Sequence, residues 1–183
     1  SGRLPAARVA EAARRVDALC GWTDPTPAGP ADRAVGLEAA RRALRVDTDL
    51  PVRRPLYVID AGVRVRPGIG VTSPGLLDVL TAIEPTVSGV RVTEPPSDLD
   101  AVIASADRAT PIVAVRDAHR RPWQADLVRR VVDARPDCVV VGTGTAADAD
   151  LAPGRYVGAL GCGQVNLRAV AERLFGTPAG HAR

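Results

Sequence analysis

A chain of 183 residues with 46% apolar residues is long enough to bury one sizeable core, with a few helices to spare. Aromatics make up only 3%, so that core has to rest on Val, Leu, Ile and Ala, and no run of ~18 apolar residues offers a membrane-spanning helix. The net charge of +3 comes from arginines scattered in pairs such as Arg14-Arg15, Arg41-Arg42 and Arg129-Arg130 with acids interleaved, which is unlike the one-sided, aromatic-bearing face of a nucleic-acid binder.

The first predicted element is a helix from Leu4 to Leu19, where Val9, Ala12, Ala13, Val16 and Leu19 recur at helical spacing. Pro5 suits its first turn, and Glu11 stands four residues before Arg15 as a favourable pair. Residues 24–30 carry three prolines and a glycine, so a stiff linker and a unit boundary are expected there. A second helix is predicted from Asp32, as its N-cap, to Leu44.

From that point strands and helices alternate. Strands are predicted at 56–59, 87–92, 112–115, 138–141 and 156–160, helices at 75–83, 97–106, 122–134 and 165–174. The strand candidates are short, β-branched and continuously apolar, which is how strands covered on both faces read. In the third of these helices Trp123, Leu127, Val128, Val131 and Val132 form one stripe. Asn166 or Gly163 is expected to open the last helix and Gly176 to close it. The stretch 143–155 is too rich in glycine, and too interrupted by Pro153, for a full helix. The alternation predicts an α/β fold: an open, mainly parallel, five-stranded doubly wound sheet with helices on both faces, a flavodoxin-like three-layer sandwich.

Ligands of such sheets bind at strand carboxyl ends, which directs attention to Asp60 and to the run Asp117, His119, Arg120 and Arg121. Asp117 and His119 are close enough in sequence to pair, with Asp60 sharing the same loop region. The competing reading makes Asp117 a turn cap and packs His119 against Trp123. Gly142-Thr143-Gly144-Thr145-Ala146-Ala147 matches G-x-G-x-x-A, but Pro153 shortens any following helix and the next strand ends in Leu160-Gly161 without a carboxylate. No dinucleotide or other cofactor is therefore expected. Gly161-Cys162-Gly163 reads as a turn that lets the strand end approach its neighbours. Cys20, Cys138 and Cys162 are odd in number and contain no C-x-x-C pair, against a disulfide framework or a zinc site, and no metal is expected. Nor do Asp60, Asp117, Asp148 and Asp150 show a spacing that marks two of them as a glycosidase carboxyl pair. No charged-then-apolar leader opens the chain, and the compartment stays unassigned.

Several of these segments together resemble family-3 glycoside hydrolases, in particular β-N-acetylhexosaminidases of the actinobacterial type. Gly2-Arg3-Leu4-Pro5 and the following Arg-rich helix are similar to the segment closing that family's N-terminal barrel. Residues 36–44, GLEAARRAL, are similar to the helix that begins its second domain. Arg116-Asp117-Ala118-His119-Arg120 with Trp123 resembles a loop and helix start of those enzymes, and 159–176 resembles their closing strand–turn–helix. The resemblance implies a division into a linker helix from a preceding barrel (1–23), a Pro-rich linker (24–30), a C-terminal α/β domain (31–176) and a disordered tail (177–183). It implies a parent enzyme that hydrolyses terminal β-N-acetylglucosaminides, with the barrel of the same chain as partner and the carbohydrate bound through that parent. The barrel would supply the catalytic groups, and the Lys-His-Phe-Pro-Gly-His motif of the N-acetylglucosaminidase members does not occur here. The acid/base glutamate that β-glucosidase relatives take from the second domain finds no matching motif either, and after the Val139–Val141 strand the chain has Gly142 where some relatives carry glutamate. The chain by itself is thus expected not to catalyse, with Asp60, Asp117, His119, Arg120 and Arg121 as candidates to border the substrate cleft. The alternatives are a stand-alone module binding an anion at Gly142–Thr145 or Gly161–Gly163, and a purely structural interaction domain.

Overall fold

The computed structural model describes residues 4–22, 33–62 and 74–176. The Pro-rich linker, the Asp32 cap and the tail anticipated from the sequence lie outside them. The chain falls into two compact units, Ser1–Asp32 and Arg33–Arg183. The first contains helix α1 (Ala6–Trp22), on which the anticipated Glu11–Arg15 pair forms at 2.6 Å and Val9, Val16 and Leu19 stand exposed.

The second unit runs α2 (Arg33–Ala43), β1 (Arg45–Asp47), β2 (Leu56–Ala61), α3 (Leu76–Ile83), β3 (Ser88–Val92), α4 (Leu99–Ala104) and β4 (Thr110–Val115). A short 3₁₀ turn (Ala118–Arg120), α5 (Pro122–Ala134), β5 (Val139–Gly142), a second 3₁₀ segment (Ala146–Leu151), β6 (Tyr156–Gly158) and α6 (Gln164–Phe175) complete it. The strands form one sheet in the order β1-β6-β5-β4-β2-β3. Strands β2 to β6 are parallel throughout and follow the flavodoxin-like order of doubly wound sheets.

The expected strand count of five is corrected to six. β1 pairs antiparallel with β6, Arg45 opposite Gly158 and Asp47 opposite Tyr156. Three residues with two charged, exposed side chains carry no strand pattern of their own, so this edge strand exists only through its pairing.

The pleat divides the apolar side chains between two layers. Leu56 and Val58 of β2, Ile112 and Ala114 of β4, and Val139 and Val141 of β5 face α3 and α6, where they meet Leu76, Leu80, Leu167, Val170 and Leu174. The intervening residues Ile59, Val113, Val115 and Val140 face the other way and meet Leu127, Val128 and Val131 of α5, with Val102 and Ile103 of α4 beside them. A strand buried on both faces cannot alternate apolar with polar, which is why these strands read as unbroken Val/Ile runs. α5 begins and ends where its stripe predicts, with Pro122 at its first helical position, where the missing N–H costs nothing. α6 opens at Gly163, and Gly176 closes it in the left-handed conformation (φ 66°), which a side chain at that position would resist. α2 lies against α6, tied by the Arg41 guanidinium, whose Nε donates to Glu172 Oε2 at 2.8 Å.

Candidate functional site at the strand carboxyl ends

The order of the parallel strands reverses between β2 and β4, and the loops that leave their carboxyl ends flank this switch point. On the α5 side three loops meet: the turn after β4 (residues 116–121), the glycine turn after β5 (143–145) and the 3₁₀ segment 146–151.

Asp117 adopts a left-handed backbone conformation (φ 52°, ψ 45°), a conformation aspartate tolerates better than most side chains. This turns its carboxylate across to the neighbouring loop, where Oδ1 accepts the Thr145 backbone N–H at 3.2 Å and the Thr145 hydroxyl at 3.4 Å. The position explains Gly144: a Cβ there would collide with the Asp117 carboxylate. Gly142 has a similar origin, because a Cβ would run into the Tyr156 ring and hydroxyl. The G-x-G pattern is thus a packing requirement, and the backbone donor an anion would use at Thr145 is already occupied by a carboxylate.

His119 does not pair with Asp117, and its imidazole is held by Asp148 instead. Asp148 is fully buried, and its Oδ1 accepts the His119 backbone N–H at 3.0 Å and lies 2.7 Å from His119 Nδ1. The His119 side chain remains 33% exposed. Asp148 Oδ2 is buried and has no hydrogen-bond partner among the described residues. Of the two readings the sequence left open, the Asp117–His119 pairing does not form: the left-handed turn at Asp117 sends the two side chains to different partners. Tyr156 completes the cluster from β6. Burial, reinforced by the nearby Asp148 charge, holds its hydroxyl in the neutral form, with its pKa pushed up to about 12.

Arg120 is exposed, and the Arg121 guanidinium donates to the Arg116 carbonyl, bracing the turn from outside. A second buried polar group lies on the same side. Gln124 on α5 donates from Nε2 to the Ala61 carbonyl at 3.0 Å and so bridges to the end of β2, while its Oε1 is buried without a partner.

Asp60 is not part of this cluster. It alternates with Ile59 and Ala61 along β2, so its carboxylate emerges on the α3 side, where it accepts the Leu77 N–H at 3.3 Å and approaches Arg91 at 3.5 Å. Burial pushes its pKa above the ordinary aspartate value, against the opposing pull of the Leu77 N–H and Arg91. Gly75 is needed beside it, because a Cβ there would overlap the Asp60 carboxylate. The sequence expectation that Asp60 shares a loop region with Asp117 and His119 is corrected by this pleat.

Asp148 is the member of the cluster that sequence reasoning did not single out. It stands 29 positions from its histidine, in a segment whose aspartates read as helix or turn caps. The signal that could have found it is the predicted order of the sheet, which makes the loops after β4 and β5 neighbours. Among the described residues no group of three or more His, Cys, Asp or Glu side chains is placed to hold a metal ion, and no helix is long and apolar enough to cross a membrane.

No family model matches the sequence, and no curated protein matches it. Solved structures do match the fold. The chain is similar over 97% of its length to a family-3 glycoside hydrolase β-N-acetylglucosaminidase from Paenibacillus sp. str. FPU-7, with a TM-score of 0.69 and 17% identity. It is similar over 96% of its length to a fungal multi-domain family-3 β-N-acetylglucosaminidase described as having a GCN5-related glucosamine N-acetyltransferase region, with a TM-score of 0.63 and 17% identity. The chain spans only 39% and 23% of the lengths of those two proteins.

Proposed function

We propose that the chain is the C-terminal α/β domain of a β-N-acetylglucosaminide hydrolase, an accessory to a catalytic barrel carried elsewhere in the same protein. The observation that carries this reading is the pattern of coverage: nearly all of the chain aligns in three dimensions with a minor part of two such enzymes. The motif resemblances of residues 36–44, 116–123 and 159–176 point the same way, independently of backbone superposition. Glycoside hydrolysis by two carboxyl groups requires a pair facing each other across a sugar, about 5–5.5 Å apart for retention. The carboxylates at the strand ends are committed otherwise: Asp117 caps Thr145, Asp148 holds His119, and Asp60 binds Leu77 and Arg91 on the other face. In this reading the domain packs against the barrel and borders its cleft with the loop 117–121.

The test is an assay with 4-nitrophenyl N-acetyl-β-glucosaminide. The 183-residue chain alone should release no nitrophenol above background, while the protein that joins it to its barrel should turn over. Robust turnover by the chain alone would overturn the accessory role. Absence of turnover by the joined protein would overturn the hydrolase reading.

A further inference from the structure

We propose that His119 is a substrate-contacting residue and Asp148 its positioning residue: the buried carboxylate orients the imidazole so that Nε2 accepts a hydrogen bond from a hydroxyl of the bound saccharide. The saccharide rests on the hydrolase reading above; the dyad itself rests on geometry.

Both hydrogen bonds to Asp148 Oδ1 come from the same residue, one from the His119 main chain and one from its ring. Backbone and ring are therefore fixed together. A carboxylate only accepts, so the proton of the neutral ring sits on Nδ1 and the lone pair on Nε2. Among the described residues nothing bonds to Nε2, and the ring is partly open to solvent at the carboxyl end of β4, which flanks the switch point.

A purely structural role explains this arrangement poorly. Tying the turn 118–120 to the segment 146–151 needs one acceptor for one N–H, which a neutral side chain supplies. A fully buried carboxylate with one oxygen unpartnered is a costly way to do it, because desolvation of a carboxylate is repaid only by complete hydrogen bonding. What a carboxylate adds is control of the ring's tautomer and orientation, as it does for histidines that act on ligands or metals.

The surroundings select the class of ligand. Asp148 holds the histidine, Asp117 and the un-ionised Tyr156 hydroxyl belong to the same cluster, and the Thr145 N–H is taken by Asp117. An anion would meet two carboxylates there and find the Thr145 N–H already taken, whereas a neutral hydroxyl donating to Nε2 meets no opposing charge. A polyhydroxylated sugar fits, and the exposed Arg120 is available to an adjacent ring oxygen.

Two measurements test the dyad. The first is side-chain ¹⁵N NMR of the full 183-residue chain at a pH high enough for the ring to be neutral. His119 should show a protonated Nδ1 and a pyridine-like Nε2, and Asp148→Asn should replace this by a tautomer mixture. A wild-type ring protonated at Nε2 instead overturns the proposal. The second is hydrolysis of N,N′-diacetylchitobiose by the protein that joins this chain to its barrel. His119→Ala should lower kcat/KM about tenfold, the equivalent of one lost hydrogen bond. His119→Gln, which keeps a hydrogen-bonding side chain and guards against a folding artefact, should recover part of that loss. Asp148→Asn should raise KM together with the change in tautomer. Normal hydrolysis by the wild type with unchanged kinetics in both His119 variants overturns the dyad and leaves the hydrolase reading intact. No hydrolysis by the wild type overturns that reading and the saccharide ligand with it.

Discussion

The same strands serve two faces, and the faces treat polar groups differently. On the α3–α6 face Leu56, Val58, Ile112 and Val141 meet Leu80, Leu167, Val170 and Leu174, and the polar groups find partners: Arg41 with Glu172, Arg54 with Glu84, and the buried Asp60 with Leu77 and Arg91. On the α5 face Leu127, Val128 and Val131 are equally free of exposure, yet the layer also takes in Gln124 and Asp148, each with a buried atom left without a partner. One face spends its polar groups on fastening elements together. The other keeps unsatisfied ones at the strand carboxyl ends, where doubly wound sheets bind ligands. Strain of this kind in an otherwise well-packed fold marks sites retained for function.

The largest effect is expected on the apolar side. Leu174→Ala, at a position with no exposure under α6, should destabilise the domain by about 2–5 kcal/mol, read as a shift in the denaturant midpoint with an unchanged slope. A loss well below 1 kcal/mol would mean that this face is not a close-packed core. Next in size, Gly144→Val should cost about 1–3 kcal/mol, because the new side chain must displace the Asp117 carboxylate from Thr145. If the glycine instead served a bound phosphate, the fold would tolerate the change and only ligand binding would suffer.

Two smaller effects separate two polar groups of the α3–α6 face by pH. The folded-state pKa of Asp60 is raised, so the folded state holds that proton more tightly than the unfolded one. Its contribution is most favourable below the ordinary aspartate pKa and is lost as pH rises through the folded value. Asp60→Asn should therefore gain on the wild type in thermal melts between pH 3 and pH 7; an advantage that shrinks with rising pH would contradict the burial argument. Glu172 has the opposite sign. The Arg41 guanidinium hydrogen-bonded to it lowers its pKa, so its contribution is present above the ordinary glutamate value and lost as pH falls through the lowered one. Glu172→Gln should cost about 0.2–1 kcal/mol at pH 7 and nothing at low pH, consistent with a partly exposed ion pair.

How much of this was legible in the chain follows from where each feature's cause lies. β2, β4 and β5 were readable because a two-faced strand writes itself as a Val/Ile run. α5 was readable to the residue because its apolar stripe is local and Pro122 suits a helix start. β1 was not, because its cause is the β6 edge more than a hundred positions away. At the site, the loop 117–121 could be placed, since its position follows from the end of β4. The pairing within it could not: adjacency suggested Asp117 for His119, but one left-handed residue sends Asp117 to Thr145 and leaves the histidine to Asp148. Why positions 142 and 144 must be glycine was hidden for a related reason. The ring and carboxylate that need their missing side chains arrive from β6 and from the loop after β4.

Whether Asp148 is kept for what it does to His119 or for what it adds to the fold is decided by measuring stability and catalysis on one variant. In the protein joined to its barrel, Asp148→Asn should melt at the same temperature as the wild type or higher, while kcat/KM on N,N′-diacetylchitobiose falls. A lower Tm with unchanged kcat/KM per folded molecule would show that the buried carboxylate is a structural fastening, and would contradict the account.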